Sequence, residues 1–314
     1  MGLRCEPLTR FVIRRLLLTI PILIGASLLI YAMVYALPGD PVRALAGDRP
    51  ISPAVQAQIR ADYNLDDPFA VQYGKYLWAL MHGDFGSDFS GRPVLETISQ
   101  RLPVTVKLTL VAVVFETLFG IAAGILAALR RNSFFDNLVL VSTTMLVSIP
   151  VFVLGFLGQF VFGFKLGWFP IAGIADGWRS YLLPGLVLAA LSMAYVARLT
   201  RTAMLEAFSA DYIRTARAKG VGRGRIVFRH AFRNSLIPVV TFIGADIGSL
   251  LGGAIVTESV FNLPGLGRAI FDAVRAQEGP VVVGIVTLMV FFYIFFNLAV
   301  DVLYAVIDPR IRYG

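Results

Sequence analysis

Gly279-Pro280-Val281-Val282-Val283-Gly284-Ile285-Val286-Thr287-Leu288-Met289-Val290-Phe291-Phe292-Tyr293-Ile294-Phe295-Phe296-Asn297-Leu298-Ala299-Val300 decides the fold class, because it holds no Asp, Glu, Lys or Arg. A helix needs about 20 apolar residues to cross the hydrocarbon core of a bilayer. The same property recurs upstream. Residues 16–39, 137–164 and 180–197 are also free of charge, while 108–129 and 234–257 are each interrupted once, by Glu116 and Asp246. In lipid every backbone group has to bond within its own segment, which favours helices, and these runs are too continuously apolar for alternating barrel strands. The sequence therefore predicts an all-α integral membrane protein with six transmembrane helices.

Composition agrees. Of 314 residues, 57% are hydrophobic and 15% charged, with a mean hydropathy of +0.74. One water-soluble core cannot hide that surplus, so soluble enzyme, disordered tail and secreted scaffold are excluded together. The single cysteine, Cys5, allows no internal disulfide. A cleaved signal peptide was weighed for the first window, with Arg14-Arg15 before it and Val34-Tyr35-Ala36 as a cleavage site. Its apolar run exceeds the usual signal length, so a retained anchor is expected.

Charge sets the expected orientation. With the N-terminus in the cytoplasm, the inner segments sum to +12, the outer ones to −1 and the spans to −3, which returns the formal +8. The short loops follow the positive-inside rule, so both termini are expected inside. Nucleic acid is excluded as a partner. The basic loop from Arg198 to Arg233 has only Phe208, Tyr212, Phe228 and Phe232 as aromatics and no DNA or RNA motif.

The external segment 38–101 is too long to be structureless. Ser52-Pro53 and Asp67-Pro68 open helices expected over 54–63 and 73–81, residues 82–87 form a turn, and 92–101 lead into the second span. The segment is either a folded cap or a docking surface for an external partner. His82 and Asp84 lack a third ligand and are read as turn chemistry, with no metal site.

On the inner side, residues 206–220 read as a short helix closed by Lys219 and the C-cap Gly220. Residues 221–224 break the chain, and a second helix starts within 225–234. Two helices and the nine basic residues from Arg198 to Arg233 exceed what orientation requires, so a protein-docking element is expected. Outside, Glu258-Ser259-Val260-Phe261-Asn262-Leu263-Pro264-Gly265-Leu266-Gly267 is an apolar loop around a tight turn. It either lines the outer mouth of a pathway, with Phe261, Pro264 and Gly265 as candidates, or rests on its own bundle.

Ionisable residues within spans are costly and usually face the bundle interior. Asp246, flanked by Gly244 and Gly248, and Glu116 are candidates for a pathway or inter-subunit contact, the alternative being an interhelical hydrogen bond. Asp301 either reaches the interface or pairs with Arg310. Gly120-x3-Gly124 and Gly248-x3-Gly252 permit close helix approach. The lysines are Lys75, Lys107, Lys165 and Lys219, none within a Gly-x4-Gly-Lys-Ser/Thr pattern. Any ATP chemistry must come from another polypeptide, and the chain is not expected to be an enzyme.

Residues 211–220 (DYIRTARAKG) and 229–238 (RHAFRNSLIP), with Leu37-Pro38-Gly39-Asp40-Pro41, residues 261–267 and the terminal 308–313, resemble the permease subunits of bacterial ABC importers. The resemblance is to the B-type subunit of the dipeptide/oligopeptide group and covers nearly the whole chain. The inner loop looks like that group's EAA loop. Where the broad permease consensus has its leading Glu this sequence has Arg214, followed by Thr215 and Ala216, and Arg233 takes the place of the terminal proline.

The resemblance implies a type I ABC importer permease fold in the bacterial cytoplasmic (inner) membrane. The first helix and the long loop would occupy 1–98, a five-helix core 99–308 with its coupling loop at 205–235, and a tail 309–314. It also implies coupling to an ATPase through Glu206, Asp211, Arg214, Thr215, Ala216, Arg217, Lys219, Gly220 and Arg233. Implied partners are a second, C-type permease, two ATP-binding subunits, an extracytoplasmic substrate-binding protein, a peptide substrate and membrane lipid. No cofactor is expected on this chain, ATP and magnesium belonging to the ATPases. The rival expectation is a stand-alone proton-coupled secondary transporter using Glu116 or Asp246, which the lack of a recognisable internal repeat weakens.

Overall fold

The computed structural model describes residues 8–35, 52–62, 64–88 and 90–307, and everything structural below concerns those residues. The quoted Leu37–Pro41 stretch, Arg310 and the C-terminal tail lie outside them. Helices make up the described chain, and the strand-like pairing is a single bridge between Ser87 and Pro93.

α1 spans Leu8–Tyr35, α2 Pro53–Asp62 and α3 Phe69–Met81. α4, Val94–Phe115, passes through a π-helical turn at Glu116–Gly120 into α5, Ile121–Leu129. The three pieces form one apolar rod of 36 residues, about 50 Å long at the helical rise. α6, Phe134–Ser148, and α7, Val151–Gly158, follow, the latter running into a π-helical turn at Gln159–Lys165. α8 is the 31-residue helix Arg179–Ser209, and α9 the short Asp211–Ala218. α10, Arg223–Arg225, leads through a π-helical turn at Ile226–Phe232 into α11, Arg233–Val260. α12, Leu266–Arg275, and α13, Gly279–Ile307, complete the chain.

Five segments are long and apolar enough to cross a membrane. The sixth expected window, 137–164, is divided. α6 and α7 meet at a bend of 106° around Ile149 and Pro150, where proline supplies no N–H to continue the ladder. As one broken span the pair gives six crossings.

α8 is the centre of the bundle because its sequence is small on several faces. Tyr181, Leu183, Val187 and Leu188 join Val104, Leu108, Ala112 of α4 and Phe261, Leu263 beyond α11 in one buried cluster. Gly120 and Gly124 let the rod approach α8 at backbone range. A Cβ at position 124 would stand 2.6 Å from the Ala197 carbonyl oxygen and 2.5 Å from Thr200 Cβ. Gly248 does the same against Tyr293 of α13, but Gly252 has nothing within 4 Å, so that second motif works through one glycine. Gly124→Val should cost about 1–3 kcal/mol by overpacking, read as a lowered thermal midpoint in detergent. Gly252→Val should leave it in place, and an equal fall in both would remove the close-approach reading.

One end of the bundle carries a cap. Tyr73 of α3 donates to the Ile24 carbonyl of α1 (2.9 Å), and the Tyr76 hydroxyl donates to Thr287 Oγ1 of α13 (2.9 Å). Burial pushes the Tyr76 phenol up to about 12, with the Thr287 contact acting in the opposite direction. Tyr31 stacks among Tyr35, Phe69, Tyr73 and Tyr76. The observed α2 and α3 match the expected cap helices, with α3 starting four residues early, directly after Pro68. At the far end of the same helices, Arg15 Nη1 pairs with Asp301 Oδ2 at 2.8 Å. Asp301 therefore meets the first helix, and the Arg15 end of α1 and the Asp301 end of α13 lie side by side.

Candidate functional site

The short helix at the uncapped end is built by a local break and an amphipathic repeat. α8 stops at Ser209 because Ala210 is extended (φ −71°, ψ 149°), and Asp211 begins α9. The expected helix over 206–220 is thus two elements, and Glu206 belongs to the last turn of α8. Within α9, Ile213 and Ala216 are buried against Ala128, Met204, Ile226, Val227 and Ala231. Asp211 and Arg214 turn the other way, 95% and 75% exposed and 3.6 Å apart. Thr215 Oγ1 donates to the Asp211 carbonyl.

Lys219 follows the last turn. Gly220 adopts φ +74° and donates its N–H to the Arg217 carbonyl at 3.0 Å, while Val221 N–H reaches Ala216 O at 3.1 Å. Only a left-handed residue closes the helix this way, which is the use of glycine there. The expected second helix is the start of the fifth span: Arg233 lies in the first turn of α11, continuous through the π-helical turn with α10. The structure therefore gathers 211–220 into one exposed helix and places Glu206 and Arg233 on the ends of neighbouring helices.

Beside this end, Arg201 of α8 holds Asp136 of α6 by two bonds, Nε to Oδ1 at 2.6 Å and Nη2 to Oδ2 at 2.9 Å. The Asn132 N–H adds a third at 2.8 Å. The Asp136 side chain is 2% exposed. Charge counting had placed Asp136 simply among inner-loop acids, and nothing in its neighbourhood of sequence announces a partner 65 residues away.

Glu116 and Asp246 meet in mid-bundle. Asp246 lies beside Ser192 of α8 and within electrostatic reach of Glu116. Glu116 is fully buried in the π-helical turn, and neither of its carboxylate oxygens has a hydrogen-bond partner. Wide turns of this kind concentrate at functional positions.

At the capped end, Phe261 and Leu263 enter the α8 core, so the apolar loop rests on this chain's own bundle. The residue that organises it is Glu258, which the candidate set omits. Glu258 is fully buried and accepts from Thr105 Oγ1 (2.6 Å) and from Arg268 N–H (3.0 Å). Thr105 Oγ1 in turn accepts from Leu266 N–H at 2.8 Å. The carboxylate thus caps the N-terminus of α12, where negative charge is favoured. Gly265 packs directly on it, leaving no room for a Cβ. The legible signal is the glycine pair 265 and 267, each demanding a close approach. Near this end Glu278 is raised above the usual carboxylate range by burial, then by the Asp88 charge, with Arg92 opposing.

The three candidate regions are therefore separate: α9 at one end of the rod, Glu116 with Asp246 in its middle, and the Phe261–Gly265 turn at the other end. The family described as binding-protein-dependent transport system inner membrane component matches residues 120–313, and its N-terminal counterpart matches residues 8–109. The glutathione transport system permease protein GsiC of Salmonella paratyphi A is 44% identical over 304 residues, covering 96% of this chain and 99% of that protein. The dipeptide transport system permease protein DppB of Alkalihalophilus pseudofirmus is 38% identical over 331 residues with the same coverage. Among solved structures, the inward-facing MetNI methionine ABC transporter superposes with a TM-score of 0.57 at 18% identity, covering 68% of this chain and 96% of that one. That likeness concerns the fold.

Proposed function

The chain belongs to the family of inner membrane components of binding-protein-dependent transport systems, and on that premise we propose how its parts divide the work of an ATP-driven peptide importer. It is a multi-pass transport permease of the bacterial inner membrane, one subunit of an ABC importer. The finer assembly is our reading: this B-type subunit with a C-type permease, two ATP-binding subunits carrying ATP and magnesium, and an external binding protein. The cargo is a short peptide or a peptide-like thiol, since relatives covering almost the full chain are named for dipeptide and glutathione transport. The positive-inside count puts both termini and α9 in the cytoplasm, and the Arg15–Asp301 pair supports placing the termini together.

The observation that carries the coupling assignment is the outward face of α9. A helix whose apolar side is spent on the bundle, yet whose Asp211 and Arg214 stand almost free, is shaped to receive a partner and pass a rigid-body push inward. Arg217, Lys219 and the Gly220 closure complete it, with Glu206 and Arg233 flanking on their own helices. Glu116 and Asp246 are assigned to the pathway or to the contact with the second permease.

Gly220→Val tests this reading. A β-branched residue strains the left-handed closure, and open space around Gly220 makes the effect conformational and not steric. ATP hydrolysis by the reconstituted assembly should persist while uptake of labelled dipeptide or glutathione falls to background, with membrane insertion intact. Uptake equal to wild type would remove the assignment. Transport by the purified chain alone, without ATP, would favour the secondary carrier.

A further inference from the structure

A cavity of about 660 Å³ lies behind α9, between the last turns of α5 and α8 and the start of α10. Leu205, Phe208 and Val221 give it apolar walls, and Arg131, Arg217 and Arg223 bring three guanidinium groups to it. Among the described residues none of these three side chains makes a hydrogen bond or ion pair. Of the acids nearby, Asp136 and Asp211 already have partners, and Glu206 is exposed and outside the lining. Asp136, which Arg131 faces electrostatically, is held by two bonds to Arg201, and Asp211 pairs with Arg214 on the opposite side of α9. Three cations around one cavity, with no carboxylate among its lining residues, leave a positive potential there.

The level of the cavity narrows the ligand. Leu129 ends the apolar rod that is long enough to cross the membrane, and Leu205 and Phe208 lie in the final turns of α8. The cavity thus sits at the ends of two spanning helices, on the side that the charge balance assigns to the cytoplasm, where headgroups are expected. Guanidinium groups fit phosphate oxygens in pairs, and basic pockets between span ends suit anionic lipid headgroups. The apolar walls would suit an acyl chain and would be wasted on a small soluble anion.

We propose that this cavity seats an anionic phospholipid, its phosphate among Arg131, Arg217 and Arg223 and its chain against Leu205, Phe208 and Val221. Arg217 lies on α9 beside the buried Ala216. The lipid therefore braces the bundle side of the short helix, leaving Asp211 and Arg214 outward for a partner.

The test is lipid retention by the complete transporter, with its partner subunits, in nanodiscs of phosphatidylcholine with and without phosphatidylglycerol, followed by native mass spectrometry. Wild type should carry a tightly held phosphatidylglycerol. Arg131→Gln with Arg223→Gln should weaken retention roughly thirtyfold, each arginine contributing roughly fivefold. Arg131→Lys with Arg223→Lys should keep most of it. If the paired glutamine variant does not assemble, each single glutamine variant should show its own roughly fivefold loss. Equal retention by wild type and the glutamine variants overturns the proposal. Displacement of the lipid by millimolar inorganic phosphate also overturns it and makes a soluble anion the ligand. So does lipid bound by the isolated chain but absent from the complete transporter, which gives the cavity to a partner's acidic side chain. Because the readout is bound lipid and not uptake, its failure is distinguishable from failure of the importer assignment.

Discussion

Glu258→Ala is expected to unfasten the corner between α11 and α12 and to cost about 2–4 kcal/mol, from two donors losing a charged acceptor at about 1–2 kcal/mol each. The Thr105 hydroxyl and the Arg268 amide both donate to that carboxylate, which is fully buried. Glu258→Gln should fall between alanine and wild type, because its amide nitrogen would face the same donors. Thr105→Val should cost about 1–2 kcal/mol and be less than additive with Glu258→Ala, since both remove one shared hydrogen bond. Thermal midpoints in detergent, together with trypsin cleavage after Arg268 and Arg275, report the effect. An unshifted midpoint and protected α12 in Glu258→Ala would show that the carboxylate is not what holds the corner.

Arg201→Ala should be comparably severe, at about 3–5 kcal/mol, because it strands the buried Asp136 carboxylate. The reason is the stranded charge and not the worth of the bridge. Replacing both partners with leucine should therefore recover most of the loss, as apolar substitutes for buried ion pairs often do. The comparison of Arg201→Ala, Asp136→Ala and the double leucine variant by thermal unfolding decides it. A double variant as unstable as Arg201→Ala would mean that the stranded charge is not what sets the cost.

The membrane spans were legible because hydropathy is a local property: each apolar window can be read without knowing its neighbours, and the charges between windows report expected sidedness. The family was legible too, from residues 211–220 and 261–267, and the comparisons bear it out. What sequence alone hid depends on contact. Pro150 was visible, but proline inside Pro103, Pro184 and Pro238 helices is accommodated, so only packing could say which proline bends the chain by 106°. The break at Ala210 carries no glycine or proline signal. Glu258 was counted as one more external acid because its donors sit at Thr105, distant in sequence, and on an amide positioned only once α12 forms. Asp136 was likewise hidden until α8 brought Arg201 to it.

The join between α1 and α13 has a consequence for how the molecule is made. The first helix finds its ion-pair partner at Asp301, and the cap that packs on it bonds to Thr287, both near the end of the polypeptide. Translation therefore delivers these partners only after all the other described helices have been made. Loop closure over such a separation is slow, so until α13 arrives the first helix is held only by the early cap, through Tyr73 and the Tyr31 cluster. A ribosome that stalls before α13 would leave a product whose beginning, and not only its end, is unassembled, which gives quality-control proteases an early mark of incompleteness.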